Sequence, residues 1–98
     1  MDLEQFESSL SGKAPPRGVG ALLQALWHDA NGGWDRAHML VQKESGRKAA
    51  AVHAYLHRKE GDLSNADYWY GRAARARPGT RLATEWSALV RELLERGE

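Results

Sequence analysis

Apolar residues recur along most of the chain at the three- and four-residue spacing of amphipathic helices. The clearest run predicts one long helix and contains Val19, Leu22, Leu23, Leu26, Trp27 and Ala30. The same spacing predicts further helices at about 34–43 and 47–60, from Leu63 onward, and at 80–96. No segment shows the strict alternation of a half-buried strand, so the sequence predicts an all-α fold.

The chain of 98 residues is long enough for one modest core, so we expect a single domain. The breaks between the predicted helices divide this domain into parts. Glycine-containing turns separate the helices at "NGG", "ESG" and "EGD", and "RPGT" precedes the last helix, with Thr80 as its expected cap. The predicted parts are an N-terminal helical arm, a linker, two helical hairpins and a C-terminal capping helix, at 1–10, 11–18, 19–44, 47–77 and 80–96.

The N-terminal arm has its own helix signals. Asp2 is expected to be its N-cap, Gln5 stands at the capping-box position, and one side carries Leu3, Phe6 and Leu10. The prolines and glycines of the linker "SGKAPPRG" break the helix and make the arm movable. We expect the arm to cover an apolar groove on the first hairpin, a place that a second copy of the protein or a partner helix could also take.

The second half of the chain repeats features of the first half. A shift from Gly32 to Gly61 also aligns three further pairs, namely Ala25 with Ala54, His28 with His57, and Ala37 with Ala66. Alanine lets two helices pack closely, and glycine permits the tight turn between them. The sequence therefore predicts two successive helix–turn–helix units.

The second unit, "AVHAYLHRKEGDLSNADYWYGRAARARP", resembles a tetratricopeptide or Sel1-like repeat. The matching positions are Ala54, Gly61, Asp62, Ala66, Tyr70, Ala73 and Pro78, and the match is best over 47–78 and weaker over 18–46. The segment is also similar to short bacterial proteins that carry "VHAYLHRKEGD...NA.YWY.RA". The resemblance implies stacked antiparallel hairpins and a binding groove on the inner face of the first helices.

Carried over to this chain, that groove consists of Lys48, Tyr55, Arg58 and Lys59. Three cations beside a tyrosine would suit an acidic peptide or a carboxylate, so the expected partner is a protein or an acidic peptide. A homodimer is a further expectation. The alternative is an ordinary solvated face of long charged side chains that needs no partner.

Histidine is the most informative residue type for chemistry. His53 and His57 are four residues apart on one predicted helix. All four histidines are expected to face neighbouring helices rather than open solvent. The main expectation is a buried polar network that contains His28, His38, His53, His57 and Asp67, without metal or other cofactor. The alternatives are a pH-responsive network and a metal site that uses His53 and His57, with His28 or Asp67 as further ligands.

Composition narrows the functional classes. The absence of cysteine excludes disulfides and thiolate chemistry and is compatible with the cytoplasm. A formal net charge of +1 disfavours nucleic acid, and no apolar run approaches the roughly 18 residues of a membrane span. No catalytic signature is present, so we expect a non-enzymatic interaction or adaptor module. The alternative is a metal-binding protein or histidine-based enzyme centred on His53 and His57.

Overall fold

The computed structural model describes residues 1–98 and contains six helices and no strand, which confirms the all-α prediction. The helices are α1 (Leu3–Ser9), α2 (Ala21–Ala30), α3 (Trp34–Gln42), α4 (Arg47–Glu60), α5 (Leu63–Arg72) and α6 (Leu82–Arg96). Helices α2 and α3 pack together as one pair, and α4 and α5 as a second. None of the six has the length and apolar character that crossing a membrane requires.

The two helix pairs turn in the same way. Gly32 and Gly61 both adopt the left-handed conformation, with φ angles of +82° and +91°. In each pair the carbonyl oxygen of a histidine, His28 or His57, accepts the N–H of the residue after the glycine, at 2.7 and 3.0 Å. This arrangement satisfies carbonyl groups that the end of a helix would otherwise leave unpaired. The 29-residue offset therefore relates backbone conformations as well as residue types.

Side-chain caps fix two of the helix starts. The N–H of Gln5 donates to Asp2 at 2.8 Å and the N–H of Asp2 donates to the Gln5 side chain at 2.9 Å, which confirms the predicted capping box. Asp62 caps α5 by accepting the N–H of Asn65 at 3.2 Å. The prediction for Thr80 is wrong, because α6 begins one residue later, with Arg81 as N-cap and no side-chain cap.

Helix α6 closes the core by packing against both α2 and α4. The indole N–H of Trp86 donates to the carbonyl oxygen of Leu26 on α2 at 2.9 Å, inside the core. The N-terminal arm docks mainly on α6, where the ring of its fully buried Phe6 lies 5.9 Å from that of Trp86. It also touches α2, because the indole N–H of Trp27 donates to the carbonyl oxygen of Ser9 at 3.3 Å. The expected groove on the first hairpin is thus covered by α6, and the arm covers α6 in turn.

Like α5, helix α3 buries few residues. Its only buried residues are Ala37 and Val41, whereas α4 is buried along nine consecutive residues, 49–57. Helix α3 packs mainly against α2, and its polar and aromatic contacts with α4 form the candidate site.

Candidate metal centre

Three imidazoles meet between α3 and α4. His38 projects from α3, while His53 and His57 project from successive turns of α4, where the four-residue spacing puts them on one face. One ring nitrogen of each lies within 4.8 Å of those of the other two. The Nε2 atoms of His38 and His53 are 3.0 Å apart, and both histidines of α4 are more than nine-tenths buried.

The outer nitrogens of two of these rings are held by polar side chains. Gln42, one turn after His38 on α3, donates its amide N–H to Nδ1 of His38 at 3.2 Å. Nδ1 of His57 lies 2.7 Å from a carboxylate oxygen of Glu60. Nε2 of His38 therefore faces His53, whereas Nε2 of His57 lies 3.4 Å from the amide nitrogen of Asn65 on α5.

Two tryptophans stack on the cluster. The Trp34 ring lies 4.9 Å from that of His38, and the Trp69 ring lies 3.9 Å from that of His53, with 14° between the planes in both pairs. The indole N–H of Trp34 donates to the carbonyl oxygen of Leu56 at 2.7 Å, which fixes this ring against α4. The stacked rings restrict the imidazole orientations and exclude water from their faces.

Burial lowers the pKa of two of these imidazoles, His38 and His53. Desolvation, followed by the neighbouring charges of His38 and His57, lowers the pKa of His53 from 6.5 to about 4. Desolvation is also the main cause that lowers the pKa of His38. Neutral imidazole is the form that binds a metal, because the ligand needs a free lone pair on its ring nitrogen.

The lowered pKa values predict a loss of stability in acid. Above pH 6.5 His53 is mostly neutral in both states, but between pH 6.5 and about 4 it binds a proton in the unfolded chain and resists protonation in the folded protein. We therefore expect the free energy of unfolding to fall across this window by roughly 2 kcal/mol more in the wild type than in His53→Gln. Urea unfolding at several pH values, in the presence of a chelator, measures this difference, and equal slopes for the two proteins would contradict it.

The structure does not bring His28 and Asp67 into the cluster. The His28 ring packs edge-on against the adjacent Trp27, at 5.1 Å, and Asp67 is exposed and pairs with Arg77 at 3.4 Å. The expected five-residue network is therefore reduced to three histidines. His28 and His57 are equivalent in the backbone, but their side chains lie in different environments.

Two of the cations in the expected groove on α4 already bind other parts of the chain. Arg58 donates to a carboxylate oxygen of Glu85 on α6 at 2.7 Å, and Lys48 donates to the carbonyl oxygen of Gly97 at 2.6 Å. Glu85 also accepts the hydroxyl of Tyr70 at 2.5 Å. Helix α6 thus supplies the acidic and carbonyl groups that a peptide partner was expected to bring.

The other two groove residues face α2. Tyr55 is buried, and its hydroxyl donates to one carboxylate oxygen of Asp29 at 2.9 Å. Lys59 donates to the other oxygen of the same carboxylate at 3.0 Å. Placing Tyr55 on an open surface was wrong, because its ring belongs to the core between α2 and α4.

The fold and the cluster define a small all-α protein with three convergent imidazoles between two helices. No protein-family model, no curated protein and no solved structure matches the chain. Its function must therefore be inferred from its own residues.

Proposed function

We propose that this protein binds a divalent transition-metal ion through Nε2 of His38, His53 and His57. The observation that carries the proposal is the convergence of three ring nitrogens, from two helices, within 4.8 Å of one another. Metal-ligating histidines usually donate their second N–H to a carboxylate, a carbonyl oxygen or water. Glu60 is placed to accept from Nδ1 of His57 in this way, and the Gln42 side chain could accept from Nδ1 of His38 if its amide turned to present its oxygen.

The donor set favours particular metals. Imidazole suits Zn²⁺, Cu²⁺, Ni²⁺ and Co²⁺, whereas Mg²⁺ and Ca²⁺ prefer oxygen ligands. Three nitrogen ligands leave one position of a tetrahedral ion for water or another small ligand, which is the pattern of a reactive rather than a closed structural site. We therefore infer selectivity for Zn²⁺ and its transition-metal neighbours.

A purely structural role for the cluster is a weaker explanation. Burying three imidazoles carries a desolvation cost that apolar side chains at the same positions would avoid. The direct contact of Nε2 atoms at 3.0 Å between His38 and His53 also requires that at least one of these two nitrogens be unprotonated. A bound cation would replace the proton between His38 and His53 and would give both of these nitrogens the same partner.

Calorimetric titration of tag-free protein with ZnCl₂ tests the proposal, and MgCl₂ serves as the control. We expect one zinc ion per chain with a dissociation constant of about 1 μM or below, and a melting temperature that rises with zinc concentration, because the ion binds only the folded state. Magnesium is expected to produce neither effect. The absence of zinc binding at millimolar concentration, or equal responses to both metals, would refute the proposal.

The expected adaptor role stays a prediction. Binding of an acidic peptide at the four groove residues would require Arg58 and Lys48 to give up their contacts with Glu85 and Gly97. Tyr55 and Lys59 would also have to release Asp29 of α2. A cytoplasmic location and a tetratricopeptide-like stacking of the hairpins also belong to the proposal. The lack of cysteine supports the first, and the matching turns at Gly32 and Gly61 support the second.

A further inference from the structure

His53 differs from the other two histidines in its outer nitrogen. Nδ1 of His38 contacts Gln42, and Nδ1 of His57 contacts Glu60, but Nδ1 of His53 has no partner in the chain. Every fully buried side-chain nitrogen and oxygen atom in this protein has a hydrogen-bond partner. Nδ1 of His53 must therefore be accessible from outside, although the residue as a whole is only 7% exposed.

The hydrogen-bond chain makes this nitrogen a donor. Gln42 donates to Nδ1 of His38, so neutral His38 carries its own proton on Nε2. That proton is then donated to Nε2 of His53, which leaves the His53 proton on Nδ1. A metal ion on Nε2 would enforce the same tautomer. With or without metal, His53 therefore presents an N–H group on its outer side.

A surface cleft has His53 among the residues that line it. Its volume is about 240 Å³, and its walls include the rings of His53 and Trp69. Arg47 and Arg72 line the same cleft, and Glu44 is the single acidic residue among its lining residues. The volume suits a small molecule, and the two guanidinium groups with one carboxylate leave a net positive charge.

The start of α4 adds further donors. Gly46 precedes the first turn of this 14-residue helix, lines the cleft and provides no side-chain cap. The N–H groups of the first turn are consequently not satisfied by a cap, and such groups favour anions. Together with the buried N–H of His53, they make the cleft complementary to an oxygen-bearing anion.

We propose that this cleft binds a small oxyanion, which accepts the Nδ1–H of His53 and pairs with Arg47 and Arg72. The anion then takes the outer position on His53 that the Glu60 carboxylate takes on His57. The inference rests on the proposed metal function, since its main consequence concerns the metal. An acceptor on Nδ1 raises the basicity of Nε2, so the anion and the metal strengthen each other's binding.

The test compares zinc dissociation constants in three solutions of equal ionic strength, containing sodium chloride alone, added sodium sulfate, or added sodium acetate. We expect sulfate or acetate to tighten zinc binding by about tenfold. A stronger effect of sulfate indicates a tetrahedral anion such as phosphate, and a stronger effect of acetate indicates a carboxylate. Equal zinc affinity in all three solutions would overturn the inference while leaving the metal site intact.

Charge-matched variants locate the anion. Arg47→Gln/Arg72→Gln is expected to lose the anion effect but keep the zinc affinity measured in chloride. Arg17→Gln/Arg81→Gln, which removes two exposed arginines outside the cleft, is expected to keep both. Persistence of the full anion effect in the first variant would contradict the assignment to this cleft.

Failure of the metal site itself has a distinct signature. No zinc binding in any of the three solutions would overturn the proposed function, and the coupling with it. Anion binding in the cleft would then be tested on the metal-free protein, by measuring whether sulfate shifts the NMR resonance of the His53 Nδ1 proton. An unchanged resonance would overturn the cleft as well.

Discussion

Replacing His38 by glutamine is expected to weaken zinc binding by about a hundredfold or more. Glutamine keeps a polar side chain of similar length on α3 but removes the imidazole nitrogen that faces His53 at 3.0 Å. Two ligands from one helix then remain, and the link between α3 and α4 is lost. Changes to outer-sphere partners alone typically reduce metal affinity 10- to 100-fold, so loss of a direct ligand should cost at least as much.

His28→Gln is the matched control for this prediction. His28 is also a partly buried helical histidine, but it lies outside the cluster, against Trp27. Zinc affinity in this variant should equal that of the wild type. Calorimetric titration of both variants at pH 7.5 makes the comparison. If His28→Gln loses as much affinity as His38→Gln, zinc is not held by the cluster.

Replacing Glu85 by alanine is expected to destabilise the fold by about 3–5 kcal/mol. Glu85 is buried, and its carboxylate accepts Arg58 at 2.7 Å and the hydroxyl of Tyr70 at 2.5 Å. Alanine would leave a largely buried guanidinium without its counter-charge and a buried hydroxyl without its acceptor. Removal of one partner from a buried ion pair exposes the full desolvation cost of the other.

Glu92→Ala gives the contrasting result expected of a surface pair. Glu92 is on the same helix and also pairs with an arginine, Arg75, at 2.9 Å, but both side chains are substantially exposed to water. Its removal should cost less than about 1 kcal/mol. Urea unfolding at pH 7 measures both variants. Equal losses of stability would show that Glu85 is not the electrostatic link between α4 and α6.

The helices and their turns could be predicted because their signals are local. The apolar spacing of α2, the glycines at 32 and 61, and the Asp2–Gln5 capping box all act within a few residues along the chain. The position in which α6 packs could not be predicted in this way. Its apolar face predicted a packed helix, but nothing local indicated that Glu85 would meet Arg58, which is 27 residues earlier. For that reason a filled groove was interpreted as an open one.

The histidine cluster could be predicted only in part. The four-residue spacing of His53 and His57 marked the α4 face of the site. His38 was expected in a polar network with them, but the further metal ligand was expected to be His28 or Asp67. His38 approaches because α3 packs across α4, which is a tertiary contact. A usable signal was nevertheless present, because Trp34 and His38 share a four-residue spacing on α3, as do the two histidines of α4.

Nitrogen-15 NMR of the histidine rings during zinc titration tests the metal centre most directly, because it reports each ring nitrogen separately. We predict that the Nε2 resonances of His38, His53 and His57 shift together and saturate at one zinc ion per chain, while those of His28 stay unchanged. Coordination through Nδ1, equal shifts of all four histidines, or unchanged spectra at saturating zinc would each contradict a three-histidine centre between α3 and α4.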